Sequence, residues 1–130
     1  MREIKFRGKV ADEPNEWVYG YLTNENTIYQ PKATKYSKNC GVGVFTVIPE
    51  TIGQYTGLKD KNGVDIYEGD IIEYKDSTGL HKETVVFDKG CFYAGWHNGS
   101  STRIAPKLIN TRISKVIGKI YESEVTNAKD

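Results

Sequence analysis

The stretch from residue 51 to residue 74 constrains the fold of this chain more than any other, because turn chemistry alternates there with short β-type runs at very close spacing. Asn62-Gly63 is a short turn signal, since both residue types tolerate the left-handed conformation of a type I′ turn. Tyr67-Glu68-Gly69-Asp70 sets glycine third in a four-residue turn, where type II geometry requires positive φ. Ile71 to Tyr74 then leaves that turn as a strand. The spacing places at least one turn of a small barrel. It speaks to architecture and carries no catalytic signature.

Composition extends the same reading. Nine tyrosines and thirteen glycines favour β-structure, because aromatics fit a pleated half-buried surface while glycine supplies the turns between strands. A chain of 130 residues fits one domain or two intimate subdomains and buries roughly two-thirds of its unfolded surface. Eighteen Lys plus Arg against seventeen Asp plus Glu leave a net charge of +1, which removes the global field that steers a strongly basic protein toward phosphates. Cys40 and Cys91 are expected to be reduced and the chain cytoplasmic, since it opens on a charged run with no apolar signal region. Asn98-Gly99-Ser100 is accordingly read as a turn and not as a glycosylation site. No run approaches membrane-spanning length, so no membrane partner is expected.

Strands follow one another along the chain with loops between them. Ile4 and Phe6 alternate with Lys5 and Arg7, and a loop at Asp12-Glu13-Pro14-Asn15 leads to Trp17, Tyr19 and Tyr21, which share one face. The pair reads as an N-terminal hairpin with Trp17 buried. Residues 23–39 turn polar and are expected to be a surface excursion. Residues 42–48 form a β-prone run that Pro49 ends by removing a ladder donor. Residues 84–87 and 91–96 flank a hairpin loop at Asp88-Lys89-Gly90, with Val85, Phe87, Phe92, Ala94 and Trp96 alternating as inward-facing sets should. A last β-prone segment, residues 116–121, precedes a polar tail. The expected fold is mostly β, a small barrel or roll.

Four separated blocks carry a family resemblance: residues 2–9 with 16–21, residues 49–63, residues 66–71, and Val116-Ile117-Gly118-Lys119-Ile120-Tyr121-Glu122. In that order they closely resemble the YopX family of phage and prophage proteins. The resemblance implies an N-terminal β-hairpin subdomain over about residues 1–56, a later part similar to SH3-type barrels over about 57–122, and a tail over 123–130. It also implies a bacterial or phage-infected cytoplasm. It supplies no catalytic residues.

Each tempting site has a structural reading that accounts for it. Asp60, Asn62, Asp65 and Glu68 look like fragments of a calcium loop, but an EF-hand needs glycine at its sixth position and Gly63 stands fourth after Asp60. Turn caps and solvated carboxylates explain them. His81, His97, Cys40 and Cys91 lack the close paired spacing of a zinc site, and neither cysteine sits where a thiolate is favoured. Gly41-Val42-Gly43 has no third glycine and no βαβ unit after it. No metal, cofactor or catalytic residue is therefore expected.

One signal remains. Lys75, Lys82 and Lys89 interleave with aromatics, and Tyr93, which points opposite to Phe92, is the first candidate for an exposed ring. Small barrels bind single strands by stacking bases on such rings while lysines follow the phosphates. The neutral net charge disfavours that use. The leading expectation is a non-enzymatic, self-associating protein-interaction module, an accessory factor of a phage or prophage with a phage or host protein as partner; exposed strand edges tend to be covered by partners or by copies of the same chain. A nucleic-acid-binding barrel is the alternative.

Overall fold

The computed structural model describes residues 3–88, 91–97, 100–103 and 114–121. The chain is mostly β and divides into two compact units, the first running through Tyr55 and the second beginning at Thr56. Among the described residues no helix is long and apolar enough to cross a membrane.

In the first unit β1 (Phe6–Lys9), β2 (Trp17–Asn24), β3 (Thr27–Gln30) and β4 (Gly43–Thr46) form an antiparallel meander, and β5 (Gly53–Lys59) begins beside β1. The hairpin read from the sequence is present, with Arg7 opposite Tyr19 and Lys9 opposite Trp17. Pro49 closes the β4 segment by opening a 3-10 turn, Pro49–Thr51. Val10, Val18, Ile28 and Val47 form the core, packed by Phe6 and Phe45. Each such aliphatic side chain withdrawn from water contributes about 1.5–3 kcal/mol.

Two expectations about this unit are corrected. The polar excursion at residues 23–39 contains β3, where Ile28 and Gln30 are both fully buried. A glutamine can hold a core position only if its amide is satisfied, and here it is. Gln30 Oε1 accepts from the Tyr19 amide at 2.8 Å and the Ser37 hydroxyl at 3.0 Å. Its Nε2 donates to the carbonyls of Cys40 at 3.1 Å and Gly41 at 2.8 Å. The second correction concerns polarity along β1. Ile4 is exposed, whereas Arg7 is 3% and Lys9 2% exposed. Both cations lie over the Trp17 ring, at 5.0 and 5.7 Å from its centroid, where the ring quadrupole and the apolar stems offset the loss of water.

Gly20 lies where β2 and β3 come closest. A Cβ built there would stand 2.0 Å from the Tyr29 carbonyl oxygen, so no other residue fits without moving a strand.

In the second unit β6 (Asp65–Tyr67) follows β5, and β7 (Asp70–Asp76), β8 (Gly79–Asp88), β9 (Cys91–His97) and β10 (Ser100–Arg103) continue as a meander. β11 (Lys115–Lys119) returns beside β7, giving the antiparallel order β10-β9-β8-β7-β11. Among the described residues β10 and β11 are not paired, so the described ladders form an open sheet where a closed barrel was one of the two expected forms. β10 lies in a segment without β-type alternation in the sequence. Ile66, Ile72, Val85, Phe92 and Ala94 are buried together, with Leu58 and Val116 against them. Phe87 differs from the inward set. It is exposed at the margin of the sheet, its ring tilted against Phe92 at 4.8 Å. The side chain of Trp96 lies outside the described residues.

The turns are set by side chains as much as by glycine. Gly63 N donates to Asp60 O at 3.0 Å, which makes Lys61 and Asn62 the central pair where Asn62 and Gly63 were expected. Gly69 has φ 92° in the turn before β7, as expected, and the Asp70 carboxylate receives the Tyr67 amide at 2.8 Å. Gly69 N also donates to Val85 O, and Gly69 O accepts from Ile120 N. A β-branched residue at this φ is strained, so Gly69→Val should lower stability by about 1–3 kcal/mol. An unchanged denaturation midpoint would contradict the turn assignment.

Candidate interaction surfaces

The acidic residues that resembled a calcium loop are already engaged by the fold. Asp60 is buried, and its Oδ1 accepts the amides of Asn62 at 2.8 Å and Val64 at 2.9 Å. Its Oδ2 accepts the Val116 amide at 2.9 Å, which ties β11 to the turn 56 residues earlier. Asp65 pairs with Lys59. The carboxylates cap turns as the sequence suggested, but Asp60 and Asp70 do so buried and not solvated. Among the described residues no group of three His, Cys, Asp or Glu side chains could hold a metal ion.

Both cysteines are free thiols. Burial pushes the Cys40 thiol up, and the negative charges of Glu16 and Glu13 push it further. A thiol so placed is a poor nucleophile at neutral pH, because the thiolate is the reactive form. His81 sits near the end of the β7–β8 hairpin, stacked on Tyr74 at 5.0 Å between ring centroids. Its Nε2 lies 2.7 Å from the Thr78 hydroxyl, and the Tyr74 hydroxyl donates to Glu83 at 2.7 Å. His97 is placed only by its backbone on β9.

The lysine and tyrosine candidates can now be placed. Ile72 and Val85 mark the core face of the second sheet, so by the two-residue period Lys75, Lys82 and Tyr93 share the opposite face. Lys75 and Lys82 are exposed, and Tyr93 is half-buried opposite Val86. Lys89 lies outside the described residues. The face is not uniformly basic. Glu73 stands opposite Lys82, with the ammonium of Lys82 at 4.0 Å and that of Lys115 at 3.6 Å. A carboxylate between two lysines weakens the field a phosphate backbone would meet.

A second surface lies on the first unit. Tyr21 is opposite Tyr29, and Tyr29 is opposite Val44. The three form a cross-strand row, 48%, 39% and 64% exposed, on the face away from Ile28. The row ends at β4, which terminates the strand order. Along β2 the same face grades from buried Trp17 through half-buried Tyr19, whose ring meets Tyr36 at 5.7 Å, to exposed Tyr21. The common face of Trp17, Tyr19 and Tyr21 was legible in the sequence; Tyr29 was not, because residues 23–39 read as a loop, and without β3 nothing set Val44 of the 42–48 run beside it. The alternation of Ile28 and Gln30 against Thr27 and Tyr29 was the available signal.

Comparison with known families matches the one described as YopX protein over residues 5–125. Comparison with curated proteins gives no match. Among solved structures, the crystal structure of protein EF1440 from Enterococcus faecalis aligns with a TM-score of 0.61 at 22% identity, covering 95% of this chain and 97% of that one. At that identity the likeness is one of fold.

If Asp60 is a structural acceptor, Asp60→Asn removes one acceptor oxygen from three backbone donors and should cost about 1–3 kcal/mol. Added calcium should leave the melting midpoint of the parent protein unmoved; a calcium-dependent rise would restore the metal reading.

Proposed function

This chain belongs to the YopX family, and from that premise we propose that it is a non-enzymatic, self-associating protein-interaction module, an accessory protein of a phage or prophage. The observation that carries this reading is the row Tyr21, Tyr29 and Val44. These are three adjacent, exposed, largely apolar side chains on a sheet face that runs out to a terminal strand. Aromatic rings in such a row provide large contact area at small entropic cost, which is why tyrosine is enriched where proteins meet. The Asp60 and Asp70 carboxylates are engaged by the fold, and the Cys40 thiol is held in its unreactive form. A bacterial cytoplasm suits two free thiols, and a further phage or host protein is the partner proposed beyond the second copy.

The SH3-type likeness of the later part belongs to the same reading. It is supported by the meander of β7 to β10 with β11 returning beside β7.

Binding of nucleic acid through Lys75, Lys82 and Tyr93 is the competing use, and the shared face favours it. Glu73 within reach of two lysines weighs against it. Sedimentation over a wide concentration range at physiological salt should show a species heavier than one chain, and a double variant Tyr21→Ser with Tyr29→Ser should weaken it. A single-chain mass throughout, with oligonucleotide binding that falls steeply as salt rises, would transfer the assignment to nucleic acid.

A further inference from the structure

From the edge of the first sheet we infer that β4 is the pairing strand, and that two copies join by antiparallel β4–β4 pairing about a twofold axis through Val44. The inference rests on the self-association proposed above and names the contact that would make it.

The backbone of β4 points the necessary groups outward. Thr46 O accepts from Ala11 N at 2.9 Å, and Val10 bridges Val47. The side of Thr46 away from β3 is thus capped by the end of the β1 segment. Successive odd or even residues of a strand direct their amides to the same side, so the N–H and C=O of Val44 also point away from β3. The residues that would continue the β1 segment past Ala11, Asp12 to Asn15, are exposed. The free part of the edge is therefore centred on Val44.

Symmetry fixes the register. A twofold axis normal to a sheet keeps its two faces distinct, so a strand can pair with its copy only with residues of the same face opposite one another. Centring on Val44 meets that condition and stops short of the capped Thr46 carbonyl: Val44 meets its own copy, and Gly43 meets Phe45. The exposed row then becomes continuous, running Tyr21, Tyr29, Val44 and on through the same three residues in reverse order. Val44, 64% exposed, is covered at the centre of that contact.

Charge names a second copy as the occupant. Sheet edges that must stay single carry lysine, proline or inward charges. From Cys40 to Ile48 there is no charged residue and no proline, so the edge neither repels its copy nor offers a charge to select a different partner.

Val44→Pro is the discriminating variant. It removes the outward N–H while leaving the ladder to β3 intact, a position at which an edge strand tolerates proline. The parent protein should approach twice the single-chain mass at high concentration, Val44→Pro should stay at single-chain mass under the same conditions, and its circular dichroism should match the parent. In the parent the Val44 amide should exchange more slowly as concentration rises. Should Val44→Pro fail to fold, Val44→Lys carries the same test through charge repulsion. A folded Val44 variant that associates as strongly as the parent would overturn the β4 pairing and leave the interaction module standing on its Tyr21–Tyr29 face. A parent that stays at single-chain mass would overturn both.

Discussion

Four hydrogen bonds to one buried carboxamide hold the first unit in shape. Gln30 occupies a core position on β3, and both ends of its amide are filled: the Tyr19 amide and Ser37 hydroxyl on one side, the Cys40 and Gly41 carbonyls on the other. A buried polar group left without partners costs about 1–3 kcal/mol, and these bonds spare the buried Gln30 amide that cost. The consequence reaches beyond energy. Residues 31–42 carry no strand of their own, and Gln30 tethers the far end of that loop at the point where the chain enters β4. Ser37, whose single hydroxyl proton lies between the Gln30 and Trp17 oxygens, and Asn39, bonded to the Glu16 carboxylate through both its amide nitrogens, hold the middle of the same loop. The position of β4, and so of the edge it presents, follows from a glutamine thirteen residues before its first residue.

The second unit solves the same problem with a carboxylate. Asp60 collects three backbone amides, two from its own turn and one from β11, while Lys61 N donates to Ser114 O. A side chain with only acceptors suits a turn whose unsatisfied groups are donors, just as an amide suits a loop that offers both kinds. The charge of Asp60 is thereby spent on architecture, which is the physical reason that a cluster resembling a cation loop is not organised as one.

These two hubs mark the limit of what the sequence disclosed. Strands with simple alternation were legible: the β1–β2 hairpin, the β8–β9 pair with Val85, Phe92 and Ala94 inward, and β11 at Val116. Glycine at a position that demands positive φ was legible too, as Gly69 shows. β3 was not, because its second inward residue is a glutamine, and a polar residue in a core is recognisable only once its partners are known. Arg7, set on the polar side of the alternation with Ile4 and Phe6, proved buried, as did Lys9. Their burial depends on the Trp17 ring, which belongs to the neighbouring strand and not to the local pattern. Of the candidate surface, the common face of Lys75, Lys82 and Tyr93 follows from strand parity, while the carboxylate of Glu73 between two lysines is a cross-strand fact that no single strand contains.

Polarity and exposure thus separate along this chain in a way that bears on function. Among the described cations, Arg7 and Lys9 are buried against a ring, and Lys82 and Lys115 are set beside a carboxylate. Apolar side chains stay in water instead, at Tyr21, Tyr29, Val42 and Val44. Leaving such groups exposed on a sheet that ends in an uncharged strand would be a hazard for a protein meant to remain single, since edges of that kind template further pairing. The cap from Ala11 onto Thr46 limits the free edge to a short segment about Val44. Pairing about a twofold axis uses the same edge on both copies and so closes after two, whereas a head-to-tail contact would continue into a fibre. In the proposed dimer the residues that make the contact are therefore also the ones that limit it.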